Sequence, residues 1–321
     1  MLGPADLKLY GTASLVLLGV LCNVFNLLAT LAQQWRSGGV QTAAVIICFI
    51  SLANVLLQLS TLALVASLWA GALCRPDLPP FFCGVLFLWL SSSSVSFWSV
   101  AWLSVLYCVR VLSFSSPLFG AVKRNISAVV GVTLAATVLT SCLMFTPFFY
   151  LRYRNEDMNV TENAACVVRK PQFPSWVDVE AYVVVFICYL ALMPLMTMLP
   201  TSLRLVVFLC KHTWSMKKNQ SGFHSADSYL LVCRLTVALV GVYVTTLLTV
   251  SLCYFHATFA SGLSADVLFL GSSFYCIASA ILLSNSNKNL REKLQALLCR
   301  AKQPNASSRS AEEKSGVTGT V

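Results

Sequence analysis

Seven apolar runs, separated for the most part by short polar connections, dominate this sequence: about 9–33, 42–68, 82–112, 126–150, 180–210, 228–255 and 265–285. About twenty apolar residues in a helix cross the roughly 30 Å hydrocarbon core of a bilayer. In lipid each backbone N–H and C=O must be satisfied within the protein, so every run is expected to be a helix. Composition agrees. Of 321 residues, 57% are hydrophobic and 11% charged, against about 25% charged in soluble domains. The expected fold class is an all-α membrane protein, a seven-transmembrane helix bundle with a short amphipathic eighth helix.

An odd number of spans puts the two ends of the bundle on opposite sides. The net charge of +10 looks at first like a signal for nucleic acid, but its distribution explains it otherwise. With the basic segment Lys288, Arg291, Lys293, Arg300 and Lys302 placed inside, the outer segments sum to −2 and the inner side to +12. That is the positive-inside asymmetry, and no nucleic-acid partner is expected. The N-terminus is then extracellular, and the protein is expected in the plasma membrane as a multi-pass chain. Only Met1 to Lys8 precede the first run, without a convincing cleavage site, so the first span is expected to serve as its own insertion signal. The expected organisation is an extracellular stretch 1–8, the bundle 9–285, an amphipathic juxtamembrane helix 286–300 and a disordered cytoplasmic tail 301–321. Leu290, Leu294, Leu297 and Leu298 would lie on the inner leaflet among membrane lipids, opposite Lys288, Arg291 and Lys293. Cys299 is a candidate for palmitoylation at its end. The long outer connection holds the sequon Asn159-Val-Thr161, where glycosylation is expected.

The third run is unusual. It carries Ser91, Ser92, Ser93, Ser94, Ser96, Ser99 and Ser104, more hydroxyls than a lipid-facing helix can use but suited to close helix–helix contact. Trp89, Ser93, Ser96, Val100, Leu103 and Tyr107 alternate by fours and threes and so share one face. Trp89 and Tyr107 are about 27 Å apart along it. One helix therefore presents an aromatic near its outer end and Tyr107 with Arg110 near its inner end. His212, His224 and His256 are dispersed, with no nucleophile–base pairing and no metal spacing. No catalytic residue, metal or cofactor is expected, and the chain is not expected to be an enzyme.

Several motifs resemble the taste receptor type 2 (bitter receptor) family of G-protein-coupled receptors. Leu103-Ser-Val-Leu-Tyr107-Cys-Val-Arg110-Val-Leu-Ser-Phe114-Ser115 is similar to that family's third-span ending, with Arg110 for its lysine. Lys211-His212-Thr-Trp-Ser-Met216 resembles its K-H-x-x-x-M, preceded by a matching Pro194. Gly19-Val-Leu-Cys-Asn23-Val-Phe25 and the later Trp35 resemble its first span. Three departures mark a divergent member, one of them the missing histidine that opens the family's sixth span. The family's L-A-x-S-R appears as Leu52-Ala53-Asn54 without the arginine, and Ser279 falls where its seventh span has a histidine.

The resemblance implies a receptor for small bitter agonists that activates a gustducin-type, Gi-class heterotrimeric G protein. It places Trp89 at the agonist-contacting tryptophan, with Ser93 one turn deeper and Ser92 beside it. An indole offers an apolar face and one N–H donor, although an interfacial belt tryptophan has the same address. Glu180 and Asp266 lie at outer helix ends, with Phe269 and Ser272 one and two turns deeper than Asp266. On the inner side Tyr107, Arg110, Lys211, His212 and Met216 would border the G-protein groove. Cys83 and Cys166 are a possible outer disulfide, with Cys74 as a competing partner. Two other readings stay open: a vomeronasal or pheromone-type chemoreceptor, and a small-molecule transporter.

Overall fold

The computed structural model describes residues 4–39, 41–69, 79–112, 117–154, 170–218, 223–259, 266–286 and 291. Each of the seven apolar runs forms a helix long and apolar enough to cross a membrane. The first three are α1 (Pro4–Ser37), α2 (Thr42–Trp69) and α3 (Pro79–Val111). A short helix α4 (Pro117–Arg124) leads to the fourth span, α5 (Ile126–Phe145), which tightens into a 3-10 turn at Thr146–Tyr150. The fifth span is α6 (Val179–Ile187), a π turn at Cys188–Leu192, and α7 (Met193–Lys218). α8 (Phe223–Phe259) and α9 (Asp266–Ser286) complete the bundle. The chain is a multi-pass membrane protein.

One small element departs from the all-helical expectation. Between the fourth and fifth spans β1 (Arg152–Arg154) pairs antiparallel with β2 (Lys170–Gln172), Arg152 opposite Gln172. Three-residue strands leave no readable periodicity in sequence, and their pairing supplies hydrogen-bond partners to an otherwise irregular connection.

Helix α3 is the axis, packing against α2, α5, α7 and α8, while α1 packs on α2 and α9. Ile46, Ile50, Leu57, Val100, Leu103, Leu134, Met198, Leu239 and Tyr275 are among the buried side chains that join the spans in one core. At the periphery Trp35, Trp69 and Trp214 are exposed near helix ends and Trp176 in the turn before α6, where indoles settle at the lipid–water boundary.

The π turn has a local cause. Pro194 carries no N–H, so the carbonyl of Leu190 loses its α-helical donor. The ladder widens by one residue, with Met193 N–H bonded to Cys188 O. Across the helix interface the Tyr243 hydroxyl of α8 donates to Leu190 O at 3.2 Å and Ala191 O at 2.9 Å.

Every buried polar side chain among the described residues is neutral: Ser, Thr, Asn or Gln. Arg204 and Arg234, near the inner ends of the fifth and sixth apolar runs, are buried-side candidates by sequence position, and both are exposed. Their long stems let the charge leave the core.

Candidate functional site

The α2–α3 interface sets the geometry. Trp89 Nε1 donates to Thr61 Oγ1 at 3.0 Å, and two turns deeper Ser96 Oγ donates to Asn54 Oδ1 at 2.7 Å. Seven residues advance on α3 as seven recede on α2, as an antiparallel pair requires. The half-buried Trp89 also meets Phe269 of α9 edge to face, ring centroids 6.5 Å apart. Trp89 thus joins α2, α3 and α9 in one layer, one turn below the start of α9. Phe269 is brought to the tryptophan, and Ser272, half-buried, follows one turn on.

Donors of this layer are engaged within the protein. The indole N–H donates to Thr61. Ser93 is buried and donates to Trp89 O at 2.8 Å, and Ser272 donates to Phe269 O at 2.9 Å. These hydroxyls back-bond to their own helices, as serines in helices often do. Ser92 is buried beside them. Glu180 stands elsewhere, exposed in the first turn of α6, where Asp178 caps the helix by accepting from Glu180 N and Ala181 N. Asp266 opens α9, and its side chain lies outside the described residues.

Below Trp89 lies a polar hub that the sequence reading did not assemble. Asn54 Nδ2 donates to Asn23 Oδ1 at 3.2 Å and to Ser279 Oγ at 3.0 Å. Asn23 in turn donates to Gly19 O and to Cys276 O. Ser96 has one proton and gives it to Asn54, so Tyr275 O–H donates to Ser96 across their 2.9 Å contact. Phe97 completes the layer by meeting Tyr243 and Tyr275 edge to face at 5.0 and 4.9 Å. Asn54, in the second-span motif that lacks its arginine, thus touches Ser279, which stands where the family's seventh span has a histidine. The available signal was an amide in the middle of an apolar run, four times over: Asn23, Asn26, Asn54 and Gln58. Polar groups at membrane depth are costly unless they are paired.

Close approach makes the hub possible. A Cβ on Gly19 would stand 2.5 Å from Gln58 Nε2, so glycine lets α1 meet α2 at the point where Gln58 bonds Ser273 of α9. On the other side of α3, Ser94 bonds Ser141 at 2.8 Å, and Tyr189 of the π turn reaches Thr140 and Ser141 at 2.7 and 3.1 Å.

At the opposite end of α3, Tyr107 is half-buried against the core and Arg110 is exposed. Lys211 and His212 are exposed on α7, with the His212 ring stacked on Phe208 at 6.1 Å. Met216 lies in the last turn of α7, and its side chain is outside the described residues. Cys83 is buried near the start of α3. Cys74, Asn159, Cys166, Cys299 and nearly all of the expected juxtamembrane helix also lie outside the described residues. Arg291 is described there, exposed and in helical backbone.

The comparisons with known proteins bear on this architecture directly. The profile of the family described as "Taste receptor protein (TAS2R)" matches residues 8–302. Taste receptor type 2 member 40 of Gallus gallus is 25% identical over 269 residues, 82% of this chain and 85% of that protein. Taste receptor type 2 member 16 of Mus musculus is 24% identical over 193 residues, 59% of this chain and 62% of that protein. Taste receptor type 2 member 107 of Mus musculus is 25% identical over 228 residues, 67% and 70% of the two chains. With that profile running from the first span past the seventh, this seven-helix chain belongs to the taste receptor type 2 family, as a divergent member.

Proposed function

We propose that the protein is a plasma-membrane receptor for small bitter compounds that activates a gustducin-type, Gi-class G protein, with its N-terminus outside. The agonist meets Trp89, Ser92, Ser93, Phe269 and Ser272 near one end of α3, with Glu180 and Asp266 at the rim. Tyr107, Arg110, Lys211, His212 and Met216 border the G-protein groove at the other. The observation that carries this reading is the continuity of α3. Its one face runs from Trp89 through Ser96, at the Asn54 hub, to Tyr107, so a ligand that prefers one arrangement of α2, α3 and α9 biases the far end. That the buried polar side chains among the described residues are all neutral also favours a receptor over a transporter, which would hold paired charges near mid-membrane.

The test is ligand-evoked calcium in cells carrying the full chain and a gustducin-type chimeric G protein, across a panel of bitter compounds. Trp89→Ala and Tyr107→Ala run beside it at matched surface level. Expected is a response that both substitutions remove. Silence across the panel, with the chain at the surface and a control receptor working, refutes the reading. Adding purified G protein to membranes should also tighten agonist binding, because linkage is reciprocal.

A further inference from the structure

We infer that the cleft between α5 and α7, at the inner end of the bundle, takes the phosphate of an anionic phospholipid, held by Arg204, Lys123 and Arg124. The inference rests on the inner placement of that end proposed above, and not on the ligand reading at Trp89.

Helices α5 and α7 each pack on α3 but, among the described residues, not closely on one another. In the outer half Tyr189 closes the gap by bonding Thr140 and Ser141 of α5. Below it α3 supplies an aromatic back wall. Trp98 meets Tyr189 at 5.7 Å and stacks at 6.0 Å on the half-buried Trp102, whose N–H reaches Thr137.

Farther in, the facing flanks are exposed. Val129 shares a flank of α5 with Thr140, eleven residues on, and is exposed. Arg204 and Phe208, also exposed, lie on the flank of α7 turned to α3. Arg204 is within electrostatic reach of Cys108 in the last turns of α3, whereas Cys210, on another flank, is within reach of Cys233 of α8. Fifteen residues on from Tyr189 is Arg204, and fifteen back from Ser141 is Ile126. In an antiparallel pair these are about level. Ile126 opens α5, directly after α4 has ended in the exposed Lys123 and Arg124.

Three cations therefore stand at one height, one on the α7 wall and two at the foot of the α5 wall. Among the described residues none of the three has an ion-pair partner, and the described carboxylates, Asp178 and Glu180, are at the outer end of the fifth span. Arg204 lies within the apolar stretch Val179–His212, where a charge is costly unless it is paired. The anion supplied at this height by the bilayer itself is a lipid phosphate, which a guanidinium binds through two N–H donors. The acyl chain would then lie along Val129 and Trp102.

The experiment reconstitutes the full chain in phosphatidylcholine nanodiscs doped with a phosphatidylserine that carries a diazirine near its glycerol. Illumination should label residues 126–133 and 201–208, and unlabelled phosphatidylserine should compete where phosphatidylcholine does not. Arg204→Gln should cut that labelling about fivefold, and Lys123→Gln with Arg124→Gln about 30-fold, from the usual worth of one basic residue at an anionic surface. Arg204→Lys keeps the charge and should retain most of the labelling, which separates loss of the site from loss of the fold. Arg36→Gln, at the exposed inner end of α1, should leave it unchanged.

An equal loss in Arg36→Gln, or competition by phosphatidylcholine, overturns the inference. So does displacement by inorganic phosphate, which would assign the cations to a soluble anion. A rise in labelling on Asp227→Asn, whose side chain lies outside the described residues, overturns it by giving Arg204 a carboxylate partner. An unlabelled cleft, with Arg204→Gln abolishing the calcium response at matched surface level, assigns Arg204 to a protein partner instead. Nanodiscs expose both faces of the chain, so failure here leaves the orientation and the receptor reading to their own tests.

Discussion

Asn54→Ala should be among the most damaging single changes to the bundle. The side chain makes three hydrogen bonds to three other helices: 3.2 Å to Asn23 of α1, 2.7 Å from Ser96 of α3 and 3.0 Å to Ser279 of α9. Interhelical hydrogen bonds in membrane proteins average about 0.6 kcal/mol each, so their loss amounts to about 2 kcal/mol. That is about a 30-fold shift in the unfolding equilibrium, before any cost of the cavity left behind. The losses fall unevenly. Ser96 can still share a bond with Tyr275, and Ser279 still donates to Cys276 O, but Asn23 Oδ1 loses the donor described for it. The assay is the free energy of reversible unfolding of the full chain in a bilayer mimic, for Asn54→Ala, Ser279→Ala and the double variant. A coupling of about 0.6 kcal/mol is expected between Asn54 and Ser279, which share one bond. Destabilisation below about 0.5 kcal/mol, or additive single effects, would refute the hub as a stabilising unit.

Other perturbations test separate parts of the structure. Gly19→Ala should lower surface expression and thermal stability, because its Cβ meets Gln58 Nε2; Gln58→Ala in the same chain should restore part of the loss. Tyr243→Phe removes the hydroxyl that covers Leu190 O and Ala191 O, at a cost of about 1 kcal/mol. Amide exchange should then rise at residues 188–194, and an unchanged profile would mean the π turn stands without it. Asn159→Gln should abolish the shift in gel mobility on deglycosylation, if the long connection before the fifth span is outside. A shift that survives moves the glycan to another sequon.

The α3 helix shows how far a pattern can be read before partners are known. Its face was legible by spacing. Ser93, Ser96, Val100 and Leu103 are buried, while Trp89 and Tyr107 at the two ends are half-buried. Its excess of serines also signalled burial among helices, and those serines are packed at the centre of the bundle. What each hydroxyl bonds was not legible. Ser93 turns to its own backbone, Ser94 to α5 and Ser96 to α2 and Tyr275, although the residue type is the same at all three.

The sequence by itself determined the number, place and approximate length of the spans. Helix formation in lipid is local: each backbone group must be satisfied within its own segment, so apolar length and polar interruption suffice. Sequence also supplied the motifs that resemble the taste receptor type 2 family, to which the chain belongs. Tertiary structure alone decided which polar groups meet. Asn23 donates to a carbonyl 253 residues away in the chain, a pairing no local periodicity encodes. The same holds for the Thr61 contact that occupies the Trp89 N–H and for the Tyr243 hydroxyl over the π turn. Pro194 announces that a carbonyl will be freed, but only the packing of α8 against the fifth span decides what covers it.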